Sequence, residues 1–239
     1  MKLIVLLFLG FLLMFSASCV DSPTDSGNGG DTTHREWIVT ENSLTDPDGN
    51  VYTTVQIGAQ LWTVENLRTS KYADGTPIPR VTNNDEWQDL STPAYCMYDN
   101  YDDHYGYLYN WYVVNPSNPQ NIAPQGWRVS SDTDWDVLRN HLGGPKTAGA
   151  KVKTTGTDDW QAPNTGATNK SGFSALPGGY RSPFGSFRKE SLEAFWWSAV
   201  EANTGGAFGF SVTYDSEVLY RVTTTKLLGA SLRLIRDDD

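Results

Sequence analysis

The chain has 239 residues, 38% of them hydrophobic and 13% aromatic, which suits one folded domain with a substantial core. Its net charge of −10 argues against a nucleic-acid partner, because phosphates are neutralised by clustered Lys and Arg. The same charge argues against docking on anionic lipid headgroups through charge alone. The composition therefore indicates an acidic, aromatic-rich globular protein.

The N-terminus has the layout of a secretory signal peptide, predicted here for residues 1–18. Lys2 supplies the positive start, an apolar run follows over residues 3–15, and small residues lead to Cys19. A Cys placed directly after small residues resembles a bacterial lipobox, in which that Cys is lipidated and begins the mature chain. Ser16 stands where a lipobox usually has Leu, so an ordinary secretory signal is the alternative. We predict lipidation at Cys19 and a lipid anchor in the outer membrane, facing the periplasm or the cell exterior.

Residues 19–36 are rich in Ser, Thr, Gly and Asp, which predicts a flexible tether. A single folded domain is expected over residues 37–239. If Cys19 is lipidated, Cys96 is the one cysteine left in the mature chain, so a disulfide framework is excluded. Cys96 lies between aromatic residues and is predicted to be a small buried apolar side chain.

The domain begins with short β-prone runs that are separated by turn residues. Residues 46–50, with the sequence DPDGN, have hairpin-turn chemistry, and residues 51–57 alternate as in a half-buried strand. The same string resembles the start of a calcium loop, although the later acidic ligand of an EF-hand is missing. We predict a turn, with bound calcium as the alternative.

A helix is predicted between Ser131 and the Gly-Gly-Pro run that begins at residue 143. Ser131 and Asp134 have the spacing of a capping box, and the acidic residues of the first turns complement the helix dipole. Apolar residues recur at helical spacing on one face: Trp135, Leu138 and Leu142. A second short helix is expected near residues 147–153, and turns and short strands follow residue 156.

Several motifs resemble, in order, the Fibrobacter succinogenes major paralogous domain over about residues 46–237. The matching stretches are DPDGNVYTTVQIGAQLWTVENL, YGYLYNWYVV, APQGWRVSSDTDWDVLRNHLGG, AGAKVK, GFSALPGGYR, FWWSA and GASLRLIRD. The family occurs in lipoproteins and surface proteins of Bacteroidetes and relatives, in agreement with Cys19. The resemblance implies an α+β, C-type-lectin-like fold, shared with formylglycine-generating enzymes, with small antiparallel sheets, one or two helices and long ordered loops.

Departures from these relatives limit what the resemblance implies. Formylglycine-generating enzymes use a pair of cysteines late in the chain, whereas no Cys follows Cys96 here. Calcium-dependent lectins use an EPN or QPD tripeptide and a WND string, which are absent from this sequence. Neither chemistry is carried over, the family has no established enzymatic activity to transfer, and no cofactor is expected.

The C-terminal part of the chain contains the predicted ligand face. In C-type-lectin-like proteins ligands bind near the C-terminus, and some bacterial and phage relatives diversify the region that corresponds to residues 202–226. Neighbouring Trp196 and Trp197 point to opposite faces of a strand, so one is expected in the core and the other at the base of the following loop. The candidate ligand-binding residues are Trp197, Asn203, Phe208, Phe210, Asp215, Tyr220 and Arg221. Ordinary sheet packing is the alternative for all of them.

An acidic run precedes YGYLYNWYVV and offers oxygen and nitrogen ligands for a divalent metal: Asp99, Asp102, Asp103 and His104. A solvated loop is the alternative. An enzyme of this fold with a changed active site would need convergent carboxylates, for which the candidates are Asp99, Asp102, Asp103, Asp158 and Asp159.

The sequence thus predicts a non-enzymatic surface lipoprotein that binds a glycan or a protein ligand. Besides the enzyme, a structural subunit of a cell-surface assembly is an alternative, which an exposed edge strand able to accept a partner strand would favour.

Overall fold

A computed structural model describes residues 38–40, 42–100 and 103–237. These residues belong to one compact unit, Thr32–Asp239. The predicted signal peptide, the tether and Cys19 lie outside the described residues. Within the described ranges, no helix combines the length and the apolar character needed to cross a membrane.

The fold is mostly β, with few helices, which is consistent with a small α+β domain. The strands are β1 Ile38–Thr40, β2 Ser43–Thr45, β3 Val51–Ile57, β4 Gln60–Thr63, β5 Tyr95–Cys96, β6 Leu108–Tyr109, β7 Trp127–Val129, β8 Gly178–Arg181, β9 Phe187–Glu190, β10 Glu193–Asn203, β11 Gly206–Thr213, β12 Tyr220–Thr225 and β13 Leu234–Arg236. The helices are α1 Asn84–Gln88, α2 Asp132–His141 and α3 Pro145–Val152, and a 3₁₀ turn covers Trp111–Val113.

Two main sheets contain most of the strands. The first has the order β1-β2-β3-β4-β13-β7 and is antiparallel, with the last strand of the chain between β4 and β7. The second has the order β12-β11-β10-β8-β9 and is antiparallel except where β10 runs parallel to β8. A small third sheet joins β5 to β6. Strands from the C-terminal half of the chain therefore form the second sheet. The first sheet combines the N-terminal strands with β7 and the last strand, β13.

The first half of strand β10 is buried on both of its faces. The side chain of Trp196 belongs to one apolar cluster with Trp135, Phe173 and Phe210, and its ring nitrogen donates to Asn66 Oδ1 at 2.8 Å. Trp197, on the other face, belongs to a second cluster, and its ring nitrogen donates to the Tyr109 carbonyl at 2.8 Å. Both rings have no exposed surface. The two tryptophans do point to opposite faces, but each face is core.

The predicted turn at residues 46–50 is confirmed. The Asp46 carboxylate accepts hydrogen bonds from the backbone N–H groups of Asp48 and Asn50 at 3.0 and 2.8 Å, and from the Tyr52 hydroxyl at 2.5 Å. Asp48 points the other way and forms an ion pair with Lys71 at 3.0 Å. The two acids thus stabilise the connection between β2 and β3.

The predicted helices are also confirmed, and one helix was missed. The Ser131 side chain accepts from the Asp134 backbone, and the Asp134 carboxylate accepts from the Ser131 backbone at 2.7 Å, which completes the capping box of α2. Helix α3 begins with Pro145, a residue suited to the first turn. The short helix α1 carries Trp87, which is fully buried, and the sequence reasoning gave no indication of it.

Asp134 connects the start of α2 to β7, because it also receives two hydrogen bonds from the Arg128 guanidinium. Burial opposes ionisation of this carboxyl, but the hydrogen bonds from Arg128 and Ser131 outweigh burial and lower its pKa below the usual value of an aspartate. A carboxyl with a lowered pKa stabilises the folded state above the unfolded pKa, and this contribution is lost as the pH falls through the folded pKa.

We expect Asp134→Asn to lower the free energy of unfolding by about 1–3 kcal/mol at pH 7, because hydrogen bonds to a charged group are lost. Denaturant titrations of both proteins at pH 7 and pH 3 measure this. The difference between their free energies of unfolding should be smaller at pH 3. Asp136→Asn, which removes a partly exposed ion pair with Arg139, is the control and should cost less than 1 kcal/mol. An Asp134→Asn effect that stays constant over this pH range would contradict the assignment.

Candidate functional site

Two of the seven predicted ligand-binding residues, Trp197 and Phe210, are core residues without exposed surface. Phe210 stacks on Trp135 with ring centroids 5.0 Å apart, and the Arg139 guanidinium covers its ring at 5.4 Å. The prediction that these two side chains line a surface site is therefore wrong. The physical reason is that both faces of β11 are covered: α2 packs against one face, and the Trp197 cluster packs against the other.

Phe208 on β11 and Arg221 on β12 contact each other near the edge of the same sheet. The Arg221 guanidinium donates to both carboxylate oxygens of Asp132 at 2.7 and 2.9 Å. Its central carbon lies 3.7 Å from the centroid of the Phe208 ring. The cation thus covers the half-buried aromatic ring and is neutralised by the first residue of α2.

Asn203, Asp215 and Tyr220 are exposed but do not converge. Asn203 accepts a hydrogen bond from the Gly205 backbone in the turn before β11, at 3.0 Å. Asp215 lies beyond the other end of β11, and Tyr220 pairs with Ser211 near that end. The Tyr220 hydroxyl is 2.9 Å from Ser216 Oγ. The eight residues of β11 span about 25 Å, so these side chains belong to opposite ends of the sheet.

The candidate metal ligands do not form a described site either. Asp99 and Asp103 are exposed, and Asp102 lies outside the described residues. His104 Nε2 is 2.9 Å from Asp159 Oδ1 and forms an ion pair with it when protonated. Among the residues that the structure describes, no group of three or more His, Cys, Asp or Glu side chains could hold a metal ion. Asp158 is exposed as well, so the four described acids of the enzyme hypothesis all keep contact with solvent.

Cys96 is fully buried, as predicted. Burial raises the pKa of its thiol to about 12, although the nearby guanidinium groups of Arg181 and Arg80 act in the opposite direction. At neutral pH the group is therefore a thiol, which is a weak nucleophile.

Three of the most deeply buried cations hold loops in place, and the sequence reasoning missed their role. Arg233 donates to Asn66 Oδ1 and to the carbonyls of Thr63 and Phe173, and burial lowers its pKa to about 9. Lys153 donates to three loop carbonyls at 2.9–3.0 Å, and burial lowers its pKa to about 8. Arg181 likewise donates to carbonyls of residues 81–83. Their donors are used within the fold, so they stabilise loops rather than offer charge to a ligand.

A cleft of about 400 Å³ opens beside strand β10. Its walls come from residues 113–122, from β7, from the start of α2 and from Ala199 on β10. The apolar lining consists of Val113, Val114, Pro116, Ile122, Val129 and Ala199. The polar lining consists of Asn115, Asn118, Gln120, Asn121, Arg128 and Ser131.

The amide groups of this cleft are held in fixed positions. The side-chain oxygens of Asn115, Asn118 and Asn121 accept backbone hydrogen bonds two residues further on, at 3.0, 3.1 and 3.0 Å. Such turns fix each amide plane. The side-chain NH₂ groups of Asn115 and Asn121 have no hydrogen-bond partner within the described residues. The loop therefore places neutral donors beside an apolar floor.

The cationic side chain that lines the cleft, Arg128, is compensated by acidic partners. Arg128 contacts Asp134 and, through Nε, Asp237 at 3.2 Å. The sequence signal for this site was the run NPSNPQN at residues 115–121, whose Asn and Pro residues are typical of turns. The sequence analysis did not consider that run and placed the ligand site after β10.

The second cavity, of about 250 Å³, lies between the end of β4 and residues 103–106. Glu65, His104 and the buried Arg233 contribute to its lining. Both carboxylate oxygens of Glu65 already accept from Thr53, and His104 is held by Asp159. Arg68 and Asp103 also line it, so this cavity is charged and suits an uncharged ligand less well than the cleft does.

The model of the Fibrobacter succinogenes major domain family matches residues 55–236. The chain belongs to this family. The matched part runs from the middle of β3 to the end of β13 and includes every residue that lines the cleft. A search of curated proteins and a search of solved structures each found no match. Membership in the Fibrobacter succinogenes major domain family confirms the resemblance seen in the motifs and assigns no activity.

The burial of Cys96 predicts an unreactive thiol. In a Cys19→Ser protein at pH 8, a thiol reagent such as DTNB should leave the native chain unmodified and modify one thiol per chain after denaturation in guanidinium. Both the low thiolate fraction and the lack of access suppress the reaction. Stoichiometric labelling of the native protein within minutes would contradict the buried position.

Proposed function

We propose that this family member is a non-enzymatic binding module with a C-type-lectin-like fold, held at the outer membrane by lipid on Cys19. Its ligand is a neutral glycan, which binds in the cleft formed by residues 113–122, β7 and β10. The observation that carries the proposal is the cleft itself: fixed, uncharged amide donors beside an apolar floor.

This combination suits the chemistry of a sugar. Hydroxyl groups of a sugar act as both donors and acceptors and pair with carboxamides, while its C–H faces pack on apolar side chains. Ligand pockets are typically about 300–1,000 Å³ with apolar walls and few polar groups, and the cleft lies within that range. Because Arg128 is compensated by two acids, the cleft has no free cation to select an anionic ligand.

A protein ligand at the C-terminal face has less support. Of the residues expected there, Trp197 and Phe210 are buried, and Asn203 lies about 25 Å from Asp215. No contiguous apolar or aromatic surface is left among these candidates, whereas stable protein interfaces depend on central aromatic anchors.

Filling the cleft should abolish glycan binding. We expect Ala199→Trp to reduce the affinity at least tenfold by occupying the cavity, and Asn121→Ala to reduce it roughly two- to tenfold through the loss of one donor. Glycan arrays would identify the ligand, and isothermal titration calorimetry would measure each variant after its melting temperature is checked.

Val137→Ala is the matched control, because Val137 is 44% exposed on α2 and does not line the cleft. It should bind as tightly as the parent protein. Binding that survives Ala199→Trp would place the glycan elsewhere. Turnover of a substrate by the protein, without retention of any glycan, would contradict the binding function as a whole.

The anchor has its own test. Expressed in a bacterium that processes lipoproteins, the chain should incorporate an alkyne-labelled fatty acid and fractionate with the outer membrane. Cys19→Ala should lose the label and leave the membrane fraction, whereas Cys96→Ala should keep both. Equal labelling of the parent and Cys19→Ala proteins would show that Cys19 is not the lipidation site.

A further inference from the structure

Strand β12, Tyr220–Thr225, is an open edge of the second main sheet. It pairs with β11 on one side, is the first strand in the sheet order, and has β11 as its principal contact. Its residues are exposed or half-exposed along the whole strand, and Tyr220 keeps 39% of its surface. The edge is therefore reachable by another strand.

The hydrogen-bond ladder shows which backbone groups face outward. The Lys226 N–H donates to the Gly205 carbonyl, and pairing with β11 continues from Gly206 opposite Thr225. Because antiparallel ladders alternate, residues 220, 222 and 224 direct their backbone groups to β11. Arg221, Thr223 and Thr225 direct theirs to the open edge. Of these outward groups, the Thr225 carbonyl accepts from the Leu228 N–H, and the described residues supply no partner to the others.

The opposite edge of the same sheet is protected, whereas β12 is not. Strand β9 ends in Arg188, Lys189 and Glu190, and Lys189 has a φ of 68°, which interrupts the extended backbone. Charges and irregular backbone are common devices against edge-to-edge pairing. Strand β12 has neither Lys nor Pro, and its one charged residue, Arg221, is neutralised by Asp132.

We propose that β12 is a self-association site, at which a second copy of this chain adds its own β12 in the antiparallel direction. A two-fold axis at Thr223 lets the backbone N–H and C=O groups of the two Thr223 residues pair with each other. It also places Arg221 opposite Thr225 of the second copy. The two sheets then form one continuous ten-stranded sheet across the dimer.

The sequence of the strand suits pairing with itself. In this register no two like charges face each other, even though the chain carries a net charge of −10. At the two-fold axis the Thr223 side chains of the two copies lie side by side, and Thr residues pair favourably across strands. An asymmetric partner would need its own complementary edge, whereas a second copy supplies one by symmetry.

Sedimentation velocity of the Cys19→Ser chain, including its N-terminal segment, tests this proposal. A reversible monomer–dimer equilibrium is expected. Thr223→Pro removes the outward N–H without touching the β11 ladder and should weaken the dimer at least roughly tenfold. Thr223→Val keeps the N–H and the branched shape, so it should dimerise like the parent.

Thr223→Lys provides a second variant that does not alter the backbone. It places two ammonium groups opposite each other at the axis, so the dimer should weaken at low salt and recover when salt screens the repulsion. A chain that stays monomeric at millimolar concentration would overturn the proposal. So would a dimer that tolerates both Thr223→Pro and Thr223→Lys, or growth into open filaments, which a two-fold contact does not allow.

Discussion

The burial of both faces of strand β10 at Trp196 and Trp197 is the constraint on which the rest of the domain depends. Trp196 and Trp197 must point in opposite directions, and both rings are fully buried. The chain therefore has to build two apolar clusters, one on each side of this strand. Helix α2 supplies Trp135 to one cluster, and residues between Tyr95 and Val129 supply much of the other.

The cleft is a consequence of this arrangement. Val113, Ile122 and Val129 belong to the Trp197 cluster and also line the cleft, so its floor is the outer margin of a packed core. Close-packed cores do not adjust their shape freely, which gives the floor a fixed form. The loop beside this floor is fixed by the turns in which Asn115, Asn118 and Asn121 accept backbone hydrogen bonds. A ligand that binds to such a fixed surface would cost little conformational entropy of the protein.

Local chemistry in the sequence predicted several elements correctly. The capping box at Ser131 and the turn at Asp46 each depend on neighbours within a few residues, and both are confirmed. The burial of Cys96 was predicted from its residue type and its aromatic neighbours, and it is confirmed as well. Motif order also predicted the family, which the match over residues 55–236 confirms.

The candidate site could not be found in the same way, because burial depends on contacts between distant segments. Phe210 was expected at the surface, but its place in the core is decided by Trp135, which lies 75 residues earlier in the chain (210 minus 135). The cleft likewise joins residues 113–122 to Ala199, two segments that no local pattern connects. The open edge at β12 required the order of the strands, which follows from pairing rather than from sequence periodicity.

The central claim is that the margin of the Trp197 cluster binds a neutral glycan. Side-chain amide NMR of ¹⁵N-labelled protein, titrated with a glycan retained on an array, tests it most directly. The account predicts that the NH₂ resonances of Asn115, Gln120 and Asn121 shift in proportion to occupancy, while that of Asn203 stays in place. Shifts confined to Asn203 and the backbone of β11 and β12, with the cleft resonances unchanged, would contradict it.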